Sequence, residues 1–283
     1  MKKVEHAVVG NLFVAVLFLT SAVVQAGPPF TSIEGSGGAA FNPFAYLANL
    51  GTALGDPDST LGKIAGKPQI GTWYVNLGES HINWTSIGYA QTFFKRVELS
   101  YAHETISPQG ADNIAKDNFG AKLLLIEENA WDAKWLPAIS VGFIGKHTSP
   151  VDIVPTADSS GYDAYLVATK LITGLPKPVL LSGGVLSTDG LTTGVLGYSD
   201  KRDETFFGNV EVMALENVIV GLEYKQGAEL GSFENDNYWD AHVAWLVNKN
   251  LTLIGAYVNA GDEKSTSKVG FGEGLVLSLQ YTF

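Results

Sequence analysis

Runs of alternating apolar and polar residues recur along the chain from about residue 70 to its end. In the last run, Leu275, Leu277, Leu279, Tyr281 and Phe283 share one face, and small or polar residues share the other. A period of two is the pattern of a β-strand with one apolar face. Most runs are about 8–11 residues long, close to the roughly 9–11 that a tilted strand needs to cross a bilayer. The twelve runs are 70–77, 83–93, 97–106, 117–127, 136–146, 161–172, 178–187, 206–213, 217–226, 238–247, 250–260 and 273–283.

The gaps between the runs alternate between short and long. Lys95-Arg96, Leu215-Glu216 and Asn248-Lys249 are tight turns, and the gaps between them are mostly long and polar. Short periplasmic turns and long exterior loops are typical of bacterial β-barrels. We therefore predict an all-β fold, with a single transmembrane antiparallel barrel of about twelve strands over residues 70–283.

A soluble β-sandwich also alternates, so the position of the aromatic residues matters. Tyr101, Tyr224 and Tyr257 lie toward the loop ends of their runs. Trp239 and Trp245 share one face six residues apart, or about 20 Å along a strand. Two aromatic belts at two membrane interfaces would produce this spacing. The second and seventh runs have no clear register.

The start of the chain has the pattern of a signal peptide. A basic head at Lys2 and Lys3 precedes a mostly apolar run, and Val24-Gln25-Ala26 offers small residues for cleavage. We predict a cut after Ala26, the alternative being an uncleaved anchor. Removing residues 1–26 changes the net charge from −11 to −12, which argues against a nucleic-acid partner. The chain has no Cys, which excludes disulfides and an acylated lipoprotein cysteine.

Residues 27–69 lie outside the barrel pattern and are rich in Gly, Pro and Ala. Asn42-Pro43 and Gly51 predict the start and the end of a short helix through Phe44, Tyr46, Leu47 and Leu50. This segment could plug the barrel, cap its periplasmic mouth, or lie on the membrane surface.

Two resemblances narrow the class. Phe283, preceded by Tyr281 and the leucines at alternate positions, resembles the closing strand of outer-membrane barrels, which implies that the barrel-assembly machinery recognises it. The segments 33–38, 42–48 and 71–77 resemble the start of an uncharacterised proteobacterial exported family, labelled as a domain of unknown function. This resemblance supports location and fold and implies no substrate or site residue.

The side chains on the polar parity of the runs would point into the lumen, because a Lys or Arg facing lipid at mid-bilayer costs about 2–4 kcal/mol. They would form either a mixed-charge pore lining or internal ion pairs that fill a narrow barrel. These predicted residues are Glu98, Lys122, Lys170, Glu211, Glu223, Lys225, Asp240 and His242.

No catalytic or metal site is predicted, and we expect neither an enzyme nor a cofactor. His103 lies on the apolar parity near a loop end, without the Ser and Asn of an outer-membrane phospholipase, and we interpret it as interfacial. Asp56-Pro57-Asp58 imitates the start of a calcium loop, but Lys67 stands where the bidentate Glu belongs. The acidic loops 200–204 and 234–236 would be solvated or would bind cations among lipopolysaccharide.

The sequence thus predicts a narrow porin-like channel for small solutes in the outer membrane of a Gram-negative bacterium. The alternative is a closed structural barrel that acts through its loops or its N-terminal segment on an envelope partner. The expected partners are membrane lipid, lipopolysaccharide, the barrel-assembly machinery and small solutes.

Overall fold

A closed antiparallel barrel of twelve strands dominates the computed structural model, which describes residues 30–283. Each strand pairs with its neighbours in the chain, and the last strand pairs with the first. Closure leaves no unpaired strand edge, as lipid requires. The predicted fold class is confirmed. The strands are β1 Gln69–Leu77, β2 Ile82–Phe93, β3 Val97–Pro108, β4 Ile114–Ile126, β5 Ala138–Ser149, β6 Ser160–Ile172, β7 Val179–Gly190, β8 Tyr198–Leu215, β9 Val218–Lys225, β10 Tyr238–Leu246, β11 Leu251–Asn259 and β12 Glu273–Thr282.

Side chains alternate between an exposed outer face and a buried lumen. In β12, Leu275 and Leu277 are 65% and 63% exposed, whereas Val276 and Ser278 are 4% and 6% exposed. Pairing also sets the registers that the pattern left open. Trp84 of β2 points inward and Leu181 of β7 points outward. The outer band of large apolar residues includes Ile87, Leu99, Phe119, Leu123, Phe143, Leu166, Val185, Phe206, Leu222, Val243, Leu253 and Leu279.

The hairpin of β7 and β8 extends well beyond its predicted runs. Thr188 pairs with Asp203 in a stretch that was predicted to be loop, and Arg202 forms an ion pair with Asp189 at 2.6 Å. Strands that extend beyond the apolar layer of the membrane can pair through their backbones without alternating apolar residues. The polar sequence of this stretch therefore gives no sign of the extension. Residues 191–197, which connect the two strands, fold inward, and Val195 is buried.

Two short elements precede the barrel. Phe30–Thr31 pairs with Gly37–Gly38, and a helix, α1, spans Thr60–Ile64. The side chain of Ser59 caps α1 by accepting a hydrogen bond from the Gly62 N–H at 3.0 Å. The helix predicted through residues 44–50 is wrong, because that stretch consists of turns and irregular backbone. No helix within residues 30–283 is long and apolar enough to cross a membrane.

Candidate functional site

Residues 30–50, which we call the inner segment, lie inside the barrel. All residues from 30 to 49 are buried except Phe41 and Tyr46, which are partly buried. From residue 51 onward the chain becomes exposed, passes through α1 and reaches β1 at the end of the barrel that carries the short turns. The segment hydrogen-bonds with inward side chains on opposite walls, which are Ser86, Thr92, Glu98, Lys122, Ser140, Thr169, Glu223 and Gln280.

An ion pair between Glu98 and Lys122 binds two separate points of the inner segment. Glu98 accepts hydrogen bonds from the Gly37 N–H at 2.8 Å and the Ala48 N–H at 2.7 Å. Lys122 Nζ lies 3.1 Å from Glu98 Oε1 and donates to the Gly37 carbonyl at 2.6 Å. The side chains of both charged residues are 1% exposed. The pair therefore closes residues 37–48 into a loop fixed to one wall.

Glu223 holds the same loop on the opposite side. Its carboxylate accepts hydrogen bonds from three consecutive backbone N–H groups, those of Ala40, Phe41 and Asn42, at 3.0, 3.0 and 2.8 Å. Successive N–H groups that converge in this way form a small anion-binding concavity. The Asn42 side chain donates to Asn209 Oδ1 at 3.1 Å. This engagement replaces the helix N-cap that the sequence predicted for Asn42.

Other wall side chains hydrogen-bond to both the backbone N–H and the carbonyl of a single residue of the inner segment. The Gln280 amide accepts from Thr31 N–H at 3.0 Å and donates to its carbonyl at 3.2 Å. Thr169 and Ser140 do the same for Ala45, at 2.8 and 2.6 Å. Buried backbone N–H and C=O groups need hydrogen-bond partners. Here the wall supplies the partners that a helix would have supplied internally.

The most heavily charged contact is made by Glu34. Its Oε1 lies 2.8 Å from Lys116 Nζ and 2.5 Å from Lys146 Nζ. The two lysines also contact Glu104 and Asp163 on the wall, at 3.1 and 2.6 Å, and both lysine side chains are fully buried. Burial by itself would raise the pKa of Glu34, but the ammonium groups of Lys116 and Lys146, with a contribution from Lys225, hold the pKa well below its usual range. Glu34 is therefore ionised inside the barrel.

A second cluster of charged side chains consists of wall residues only. His242 lies between Glu211 and Asp240, with its ring nitrogens 2.8 and 2.7 Å from their carboxylates. Within residues 30–283, no group of three or more histidine and acidic side chains is arranged to hold a metal ion.

Seven of the eight predicted lumen residues point inward, namely Glu98, Lys122, Glu211, Glu223, Lys225, Asp240 and His242. Lys170 was predicted wrongly. The inward positions of β6 include Thr169, which places Lys170 on the outer parity. Its ammonium bonds Glu128 at 3.0 Å and Asn129 at 2.6 Å near the short turns.

The prediction missed Glu34, Lys116 and Lys146. Lys116 fell in a predicted loop because β4 begins earlier than its apolar pattern does. Lys116 shares the inward parity of Lys122, so a longer run would have found it. Glu104 and Lys146 lie inside the predicted runs 97–106 and 136–146, on the inward parity of those runs.

Aromatic residues form pairs on the outer face near the long loops. Such pairs lie at the height where a bilayer interface would fall. They are Tyr101–Phe119, Phe143–Tyr162, Phe206–Tyr224 and Trp239–Tyr257, with ring centroids 5.0, 5.2, 5.7 and 5.9 Å apart. At the other end Tyr281 and Phe283 pack edge to face at 5.0 Å, and Trp245 is also outward. The outer surface thus has an apolar band between two aromatic zones.

A polar row lies on the outer face beside this aromatic zone. Asp117 Oδ1 contacts His103 Nδ1 at 2.9 Å and the Tyr101 hydroxyl at 2.7 Å. The next strand brings His147 Nδ1 within 2.9 Å of Ser160 Oγ, a pair that sequence reasoning missed. Among the described residues Ser160 alone is hydrogen-bonded to the His147 side chain. The serine–histidine pair therefore lacks a third side chain, acid or amide, that would orient the imidazole as in a hydrolase triad.

A closed barrel with an apolar outer band, aromatic zones and a polar interior defines the class of outer-membrane β-barrel proteins. The chain belongs to the family described as Protein of unknown function (DUF3034), which matches residues 27–280. Both predicted resemblances are confirmed.

Several solved structures are similar to the chain at low sequence identity. The KdgM porin is 12% identical with a TM-score of 0.51, covering 76% of this chain and 99% of the porin. The Acinetobacter baumannii protein Omp33 is 7% identical with a TM-score of 0.47, covering 78% of this chain and all of Omp33. The Salmonella typhi outer membrane phospholipase is 11% identical with a TM-score of 0.43, covering 81% and 94%. No curated protein matches the chain.

Proposed function

We propose that this protein is a porin-like channel of the Gram-negative outer membrane and that its inner segment is a plug. Small solutes pass when the inner segment leaves the lumen. The short turns, the start of β1 and the end of β12 face the periplasm, and the long loops face the exterior. One observation carries the proposal. The inner segment is held by ion pairs and hydrogen bonds to charged and polar wall residues.

Polar contacts of this kind can be exchanged for contacts with water. A hydrogen bond contributes only about 0.5–1.5 kcal/mol net, because water takes over both partners when it breaks. The segment also packs apolar side chains against apolar wall residues, and release costs about 25 cal/mol for each Å² of that apolar surface exposed. These side chains are Phe30, Ile33, Phe44 and Leu47. Release of the inner segment would uncover Glu98, Lys122 and Glu223, which water solvates well. The emptied lumen is therefore suited to small hydrophilic solutes.

The loops at the exterior mouth have to move as well. Thr148 donates a hydrogen bond to the Gly194 carbonyl at 2.7 Å, and Asn235 accepts from the Thr192 N–H at 2.6 Å. Together these contacts fold residues 191–197 over the lumen. The same closure favours the second candidate function, a closed barrel that acts through its loops or inner segment on an envelope partner.

Conductance in planar bilayers tests the channel. The full-length protein is compared with a deletion of residues 30–50. We expect rare or no steps from the full-length protein and frequent steps from the deletion. Absence of steps from a deletion that still shows the heat-modifiable migration of a folded barrel would favour the closed barrel.

An engineered disulfide provides a matched control. A Cβ at Gly88 would lie 2.7 Å from Thr31 Cγ2, so cysteines at these positions fall within disulfide reach. The chain has no other Cys. The Thr31→Cys, Gly88→Cys protein should conduct less when oxidised than when reduced. Gly88→Cys alone should not respond to reductant.

The biogenesis predictions fit the same proposal. We propose that residues 1–26, outside the described residues, are a cleaved signal peptide. We further propose that the barrel-assembly machinery recognises the terminal Tyr281 and Phe283, and that lipid and lipopolysaccharide surround the apolar band.

A further inference from the structure

Lys225 is a buried lysine whose ammonium makes no short polar contact within the described residues. Its residue is 8% exposed, yet among residues 30–283 no hydrogen bond or ion pair joins its Nζ to another side chain. It lines a cavity of about 30 Å³ together with Glu34, enough space for roughly one water molecule. The rest of the lining is mostly apolar. Buried charges in proteins are normally paired, and the carboxylate with the largest charge interaction at Lys225 is that of Glu34 in the inner segment.

The charges of the wall around Glu34 do not balance without the inner segment. Lys116, Lys146 and Lys225 contribute three positive charges. The wall carboxylates in contact with these lysines are Glu104 and Asp163. The third negative charge comes from Glu34, which is attached to the inner segment and would leave with it.

We propose that Lys116, Lys146 and Lys225 form a binding pocket for the carboxylate of a permeating solute, and that Glu34 occupies this pocket as a tethered substitute. The inference rests on the proposed channel and names its solute class. A solute carboxylate and Glu34 compete for the same ammonium groups. Entry of the solute therefore favours release of the inner segment, and the inner segment closes an unoccupied channel.

Chemical rescue tests the pocket in the full-length protein. Glu34→Ala empties the carboxylate position and leaves the lysines uncompensated, so the barrel should unfold at a lower temperature. Sodium acetate, the probe, should restore the unfolding temperature with a saturable dose dependence, whereas sodium chloride of equal ionic strength should not. The tethered carboxylate competes at high effective concentration, so acetate should bind Glu34→Ala at least roughly tenfold more tightly than wild type.

Two controls separate the pocket from general salt effects. Glu34→Ala combined with Lys146→Met should lose the acetate effect, and Glu216→Ala, in an exposed turn, should never show it. Acetate that stabilises Glu34→Ala no more than wild type would overturn the proposal.

Selectivity gives a second measurement that does not depend on the folding of Glu34→Ala. The reversal potential of the barrel lacking residues 30–50 is measured in a potassium chloride gradient. Lys116→Met with Lys146→Met should move this potential toward cation preference, because two positive charges leave the lumen. An unchanged reversal potential in the double lysine variant counts against the pocket. If the protein lacking residues 30–50 gives no conductance, that result counts against the proposed channel, and the acetate rescue decides on the pocket.

Discussion

The contact between Glu98 and the inner segment offers a direct measure of how firmly the plug is held. Glu98→Gln keeps the shape of the side chain and removes its charge. The seated state then contains Lys122 buried without a counter-charge, and one oxygen fewer accepts from Gly37 and Ala48. In the released state water would solvate Lys122, so the loss falls on the seated state alone.

The size of the effect follows from the burial of the pair. Removing one partner of a buried ion pair costs about 3–5 kcal/mol. The lower figure corresponds to a change of roughly 150-fold in the ratio of seated to released states. Glu127→Gln is the matched control, because Glu127 pairs with Arg96 at 3.0 Å with both side chains about half exposed. Exposed pairs of this kind contribute about 0–1 kcal/mol.

Amide hydrogen exchange of residues 30–50 reports the release of the segment. We expect Glu98→Gln to exchange roughly 100-fold faster than wild type in this segment, while the barrel strands keep their protection. Glu127→Gln should match wild type. Glu98→Gln with Lys122→Met removes both charges and should regain much of the protection, since apolar replacement of a buried pair is often neutral. Unchanged exchange in Glu98→Gln would refute the view that this ion pair anchors the plug.

Three further predictions concern other parts of the chain. Gly35→Ala should loosen the inner segment in the same exchange assay, because Gly35 has φ +91° and a Cβ there would lie 2.8 Å from the β3 backbone. Gly51→Ala is the control for backbone strain, since Gly51 has φ +88° with open space around it. Equal effects of the two substitutions would contradict the argument from the β3 contact. Deletion of Phe283 should lower the yield of folded barrel in membranes, and normal assembly would show that the terminal aromatic is dispensable. Purified protein should not hydrolyse phospholipid, because no third side chain orients His147 beside Ser160. Hydrolysis that Ser160→Ala abolishes would contradict this.

The barrel itself could be predicted from the sequence because its determinants are local. Leu275, Leu277 and Leu279 must face lipid because strand side chains alternate, and this holds whatever the neighbouring strand is. The same parity predicted Glu223 and Asp240 inside. It failed at Lys170 because, near the end of a strand, a long side chain can reach polar partners from the outer face.

The contents of the lumen depended on contacts between distant residues. Glu34 meets Lys116 and Lys146 across 82 and 112 residues of chain. No local pattern encodes such pairs, because they form only when the barrel closes around the inner segment. The helix expected after Asn42 failed for the same reason, since the wall took its backbone hydrogen bonds.

Sequence alone therefore determined the wall of this protein: twelve strands, their two faces and the closing row that ends at Phe283. Strand alternation and the exclusion of charge from lipid act on each residue separately, so they can be read from the chain. Only the tertiary structure decided that the lumen is filled and which charges meet there. Those contacts exist because closure of the barrel desolvates residues far apart in the chain and forces each of them to find a partner.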